Sequence, residues 1–188
     1  MIFEPLPLAG AHLVRPEPME DERGFFARLY DAQAFAAAGL DPRLDQVRVS
    51  YNRRAGTLRG LHLQRPPHAE TKLVRVTAGA VWDVIVDVRA GSPTFGRWTA
   101  VELSAANRLQ LYIPPGFAHG FQSLTEGAEV LYHISVPYHP ASQAGVRWDD
   151  PDLALPWPDP AAAILSDRDR KHPLFANLQS PFRFNGAL

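Results

Sequence analysis

KLVRVTAGAVWDVIVDVR (residues 72–89) is dense in β-branched residues and is broken near its middle by Gly79. Such residues pack well on a pleated surface, so the stretch reads as strand rather than helix. Within its second half, alternation puts Val81, Asp83, Ile85 and Asp87 on one face and Trp82, Val84, Val86 and Val88 on the other. At least one face is therefore apolar throughout and has to be covered. Downstream and upstream the same pattern recurs in TLRGLHLQ, RWTAVELS, LQLYIP, HGFQSL and EVLYHISV, each short and bounded by Gly, Pro, Asn or Ser. Short strands in that rhythm predict an all-β protein, an antiparallel sandwich or barrel.

The remainder adds little helix. With 13 glycines and 18 prolines among 188 residues, few windows are long enough, and the best is DAQAFAAA (residues 31–38), where Asp31 suits the first-turn cap. From Pro151 the run PDLALPWPDP is too rich in proline for sheet and reads as a wrap over the barrel. One domain is expected, with an arm and short helix over residues 1–50, a barrel over 51–140 and a C-terminal wrap over 141–188.

Composition removes several functions. The formal net charge is −1, from 19 basic and 20 acidic residues, which disfavours nucleic acid and membrane surfaces as partners. No apolar run approaches the roughly 20 residues that span a bilayer, and MIFEPLPLAG lacks the features of a signal peptide, so a cytoplasmic protein is expected. Cysteine is absent, which excludes disulfides, thiolate catalysis and zinc–sulfur sites. No G-x-G-x-x-G, G-x-x-x-x-G-K-[ST] or G-x-S-x-G occurs, so dinucleotide, P-loop and nucleophile-elbow chemistries lack their signatures.

Polar residues then stand out where core is expected. In RGLHLQRPPHAETKLVRV (residues 59–76), alternation groups Leu58, Gly60, His62 and Gln64 on one face, opposite Arg59, Leu61 and Leu63. Taken singly, His62 and His119 read as structural histidines, Lys72 as a strand-end lysine, Tyr132 as a barrel tyrosine and Asp169 as a surface turn. Together they supply a base, a carboxylate to orient it, a cation for an enolate oxygen and a phenol to return a proton. His68 and Glu70 read as a polar turn after Pro66-Pro67.

Seven blocks in order carry a family resemblance: DERGFF (21–26), TLRGLHLQRPP (57–67), KLVRVTAGAVWDVIVDVRAGSPTFG (72–96), IPPGFAHGF (113–121), VLYHISVPY (130–138), RWDDPDLALPWP (147–158) and ILSDRDRKHP (164–173). Over residues 20–173 the chain resembles the dTDP-4-dehydrorhamnose 3,5-epimerases. The resemblance implies a cupin-type jelly roll and a homodimer whose N-terminal arm crosses to the neighbour. It implies no metal or other cofactor, and epimerisation at C3, C5 or both of a nucleotide-linked 4-keto-6-deoxyhexose. By resemblance His62 is the base, Asp169 its partner, Lys72 the cation near the C4 oxygen and Tyr132 the acid on the opposite face. Arg23, Phe26, Gln46, Arg59, His119 and Tyr138 match positions around sugar, diphosphate and nucleobase. Arg28 and Arg48 stand where that family commonly has Glu and Asn, and Asn52 where it has Ser; Arg28 inverts the local charge and makes room for a base such as cytosine.

Two other readings compete. A metal-dependent cupin would use His62, His68, Glu70 and His119 as ligands, although the residue two after His62 is Gln64, where the usual H-x-H motif has histidine. A non-catalytic sugar-nucleotide binding module would need neither His62 nor Tyr132.

Overall fold

The structure is a computed structural model and describes residues 1–186. Two antiparallel sheets face each other. One has six strands in the order β1 (Ile2–Pro5), β2 (His12–Arg15), β10 (Gln110–Ile113), β7 (Lys72–Ala78), β12 (Ala128–Ile134) and β5 (Gln46–Asn52). The other has five, β13 (Gln143–Gly145), β6 (Leu58–Gln64), β11 (Phe117–Ser123), β8 (Ala80–Asp87) and β9 (Trp98–Ser104). A separate hairpin pairs β3 (Met19–Asp21) with β4 (Gly24–Phe26). This is the expected all-β architecture, a cupin-type jelly roll.

The stretch that announces the fold also joins its two walls. β7 lies in the six-stranded sheet and β8 in the five-stranded one, so the chain changes sheets at Gly79. Gly79 has φ +69°, and a Cβ there would sit 2.2 Å from Thr125 Oγ1, so the corner takes no side chain. Both faces of β8 are buried. Val81 and Ile85 point between the sheets, where they meet Val74, Leu111, Phe121 and Val130. Val84, Val86 and Val88 point outward under Leu61, Val146, Leu153, Trp157 and Phe182. Each such side chain contributes roughly 1.5–3 kcal/mol by leaving water. The proline-rich tail thus covers the outer face of the five-stranded sheet, as a wrap should.

Helix α1 (Ala32–Ala37) begins where Asp31 predicts, with the Asp31 carboxylate accepting from the Ala34 N–H at 3.0 Å. Its Phe35 is buried against Phe3, Tyr30 and Tyr112. Strands β1, β2 and β5 extend the six-stranded sheet on its two sides. β1 and β2 lie in the stretch expected as an arm, where prolines stand at positions 5, 7 and 16. Proline is compatible with a sheet's edge, which is where β1 lies. Among the described residues no helix is long and apolar enough to cross a membrane.

Candidate active site

β6 runs between β13 and β11, and its pairing with β11 is irregular. His62 stands opposite His119 and Arg59 opposite Phe121, so three steps on β6 match two on β11. The extra residue is a bulge, and Gly60 occupies it with φ +123°. A Cβ at Gly60 would lie 2.6 Å from Gly120 Cα. The bulge overturns the strict alternation expected here: Arg59 and His62 both line the cavity between the sheets, whereas Leu58, Leu61 and Leu63 belong to the outer core.

The same glycine helps to seat the carboxylate. Asp169 lies in the single-turn helix α2 (Asp167–Arg170), capped by Ser166 Oγ at 3.1 Å from the Asp169 N–H. Its Oδ2 accepts from the Gly60 N–H at 3.2 Å, and its Oδ1 lies 2.7 Å from His62 Nε2. A carboxylate can only accept, so Nε2 carries the hydrogen and the imidazole lone pair is left on Nδ1. Burial pushes the His62 pKa below the ordinary imidazole value, Asp169 opposes that shift, and the charges of Lys72 and Arg168 add to it. Burial alone would raise the Asp169 carboxyl. Its contacts with His172 and His62 outweigh that and hold it far below the usual carboxylate range. His172 Nε2 is 3.6 Å from Asp169 Oδ1, an ion-pair distance too long for a hydrogen bond.

Lys72 on β7 and Tyr132 on β12 enter from the six-stranded wall, across from His62. The cavity between them is about 260 Å³, at the small end for ligand sites. Burial, assisted by the charge of Asp83 and opposed by Arg59, raises the Tyr132 phenol well above its usual pKa, so it is a proton donor throughout the physiological range.

Arg48, Arg59, His119 and Tyr138 also line this cavity. Asn52 Oδ1 accepts from Arg59 Nε at 2.9 Å, and Asn52 is itself fixed by donating to Ala128 O at 3.0 Å, so this substituted residue tethers an arginine. Arg48 lies over the Tyr138 ring at 4.9 Å and donates from Nε to Gln46 Oε1 at 2.9 Å. Gln46 is not on the cavity wall; its amide donates to Val136 O. Arg23, Phe26 and Arg28 are not brought to the cavity of their own chain. Arg23 pairs with Asp21 on the exposed β3–β4 hairpin, Phe26 is 72% exposed at its end, and Arg28 pairs with Asp31 at 2.7 Å.

Sequence reasoning missed several partners. His119 Nε2 donates to both oxygens of Asp83, at 2.8 and 2.9 Å, in a pair buried from solvent. Asp83 had a legible signal, a carboxylate alternating with Val81 and Ile85 on a strand buried on both faces. Glu70 is not in a polar turn: it lines the cavity, its Oε1 3.0 Å from Lys72 Nζ. Arg168 and Gln143 join the rim, with Arg168 Nη1 donating to Gln143 Oε1 at 3.0 Å. The ligand set of the metal-cupin reading does not assemble. His68 bonds Ser142 Oγ and stacks on His139, Glu70 holds Lys72, and His119 holds Asp83. Among the described residues the side chains close enough to share an ion are His62, Asp169 and His172 instead.

Comparison with known proteins converges on one family. The family model for dTDP-4-dehydrorhamnose 3,5-epimerase matches residues 5–177. The dTDP-4-dehydrorhamnose 3,5-epimerase of Sinorhizobium fredii is 40% identical over 184 residues, covering 98% of this chain and 94% of that protein. Among solved structures, the dTDP-6-deoxy-D-glucose-3,5-epimerase of Legionella pneumophila, in complex with dTDP-4-keto-L-rhamnose, has a TM-score of 0.91 and 37% identity, covering 97% of this chain and 98% of that one. The 3'-monoepimerase ChmJ of Streptomyces bikiniensis, in complex with dTDP-quinovose, has a TM-score of 0.86 and 39% identity, covering 92% and 87%. A shared sequence across almost the whole barrel, carried by a shared fold, means that the chain belongs to the dTDP-4-dehydrorhamnose 3,5-epimerase family.

Proposed function

We propose that the chain is an isomerase that inverts C3, C5 or both of a nucleoside-diphosphate 4-keto-6-deoxyhexose, with His62 as base and Tyr132 as acid. The observation that carries the reading is the 2.7 Å His62–Asp169 pair on one wall of a cavity whose other wall bears Tyr132 and Lys72. Inversion needs a base and an acid on opposite faces of one carbon, and residues carried on two facing sheets support that reading.

The C4 ketone acidifies the C–H bonds on either side because the carbanion delocalises onto oxygen. His62 Nδ1 takes the proton, Asp169 stabilises the imidazolium, and the Lys72 ammonium meets the developing enolate oxygen. The neutral Tyr132 phenol then delivers a proton to the other face. The overall change moves protons only, so the step requires no redox partner. Arg59 and Arg48 suit the diphosphate and nucleobase end, since guanidinium forks pair with two oxygens at once.

The active unit is proposed to be a homodimer. Val47, Val49 and Tyr51 are each more than half exposed on β5, and the whole β3–β4 hairpin is exposed. Such a surface suits a second copy, whose hairpin would bring Arg23, Phe26 and Arg28 to this chain's cavity. Light scattering tests the dimer: a monomer at assay concentration removes it.

The chemical test is hydrogen exchange. In deuterated water the wild type should place deuterium at C3 or C5 of dTDP-4-dehydro-6-deoxyglucose or its CDP counterpart. Tyr132→Phe should retain exchange but lose most inversion, read as deuterated starting sugar. No exchange into any 4-keto nucleotide sugar removes the proposal.

A further inference from the structure

Glu70 belongs to no part of the mechanism so far, yet it lies in the cavity. It stands two residues before Lys72, and at that spacing both side chains take the same face. Both are nearly buried, with side-chain exposures of 11% for Glu70 and 10% for Lys72. Oε1 is 3.0 Å from Lys72 Nζ, and Oε2 accepts from Gln64 Nε2 at 3.0 Å. Gln64 is fixed in turn: its amide also donates to His68 O at 3.2 Å, and its Oε1 accepts from the His139 N–H at 2.7 Å. The carboxylate therefore ties β6 on one wall to β7 on the other, directly beside the lysine.

We propose that Glu70 is a positioning residue for the epimerisation, holding the Lys72 ammonium in place and charged at the ketone end of the cavity. The role rests on the reading given under Proposed function, and Glu70 itself touches no reacting atom. A lysine chain is flexible and its ammonium has three donors. With one donor committed to Glu70, the other two are aimed by it. Burial works against an isolated ammonium, and a carboxylate 3.0 Å away offsets that cost. Arg48, Arg59, His62, His119, Tyr132 and Arg168 also line the cavity, and the three guanidinium charges among them repel a cation. The carboxylate takes away part of the positive charge offered to the enolate. That loss is smaller than the cost of leaving a buried ammonium uncompensated.

The test is the pH dependence of kcat and KM for solvent-deuterium exchange in the wild type, Glu70→Gln and Glu70→Asp. Glu70→Gln keeps the shape and removes the charge. It should lower kcat at neutral pH by about tenfold and move the alkaline limb of the kcat profile down by about one unit, with KM nearly unchanged. Glu70→Asp, which keeps the charge, should restore the limb. Should Glu70→Gln not fold, Glu70→Ala carries the same expectations. An alkaline limb that stays in place overturns the proposal, even where kcat falls equally at every pH, since that pattern marks a structural role alone. A wild type that exchanges no hydrogen removes the epimerase reading and this role with it; an active wild type with an unmoved Glu70→Gln profile removes only the role of Glu70.

Discussion

Among the described residues, two hydrogen-bonded histidine–aspartate pairs have their histidines on neighbouring strands, and they differ in access rather than in chemistry. His62–Asp169 closes at 2.7 Å with a quarter of the imidazole still exposed, while His119–Asp83 closes at 2.8 Å with 4% and 0% exposure. In the first, the carboxylate comes from a distant helix and takes one imidazole hydrogen, with its other oxygen on the Gly60 N–H. In the second, both oxygens face one Nε2 across adjacent strands. On the proposed reading, the same two side chains make a base where the imidazole is a quarter exposed, and a strut where the pair, though His119 borders the cavity, is almost wholly buried. Burial decides which.

That contrast is sharpest in two truncations. His62→Ala should cut kcat by about a thousandfold or more, the scale of a lost general base, while leaving the urea midpoint within a small shift. Asp83→Ala should instead destabilise the fold by about 1–3 kcal/mol, the scale of leaving a buried donor unsatisfied, read as a lower urea midpoint at unchanged slope. If Asp83→Ala unfolds no more easily than His62→Ala, the division between base and strut is wrong.

The sequence disclosed these two pairs unequally, for physical reasons. His62, Lys72 and Tyr132 were legible as polar residues on strands, whereas Asp169, more than a hundred residues away, read by itself as a surface turn. Resemblance matched it to His62 by position, because a carboxylate on a one-turn helix has no periodicity of its own to place it. Period-two reading placed the sheet but misplaced Arg59, since a bulge breaks the period and Gly60 was the sole local sign of it. Glu70 was lost because Pro66-Pro67 suggested a solvated turn, whereas the chain re-enters the barrel before Lys72. Arg23, Phe26 and Arg28 lie away from the cavity of their own chain, and resemblance alone named them for a pocket.

The smallest effect concerns the charges flanking the accessible pair. His62 titrates below the ordinary imidazole value of 6.5, chiefly through burial, with Lys72 and Arg168 adding to the depression. The proposed base works neutral, so kcat/KM should hold at neutral pH and fall only as pH drops through that lowered value. Arg168 Nη2 lies 3.5 Å from His62 Nε2, but the Arg168 side chain is 54% exposed, so solvent screens much of its influence. Removing its charge relieves part of the repulsion against an imidazolium. Arg168→Gln should therefore move the acid limb of kcat/KM upward, toward 6.5, by a few tenths of a unit, and less in high salt. A downward shift would mean that Arg168 serves His62 mainly by orienting Gln143 and Asp169, not by its charge. The sealed pair offers a control: Arg168 is absent from the partners of His119 and Asp83, so the urea midpoint should stay where it is.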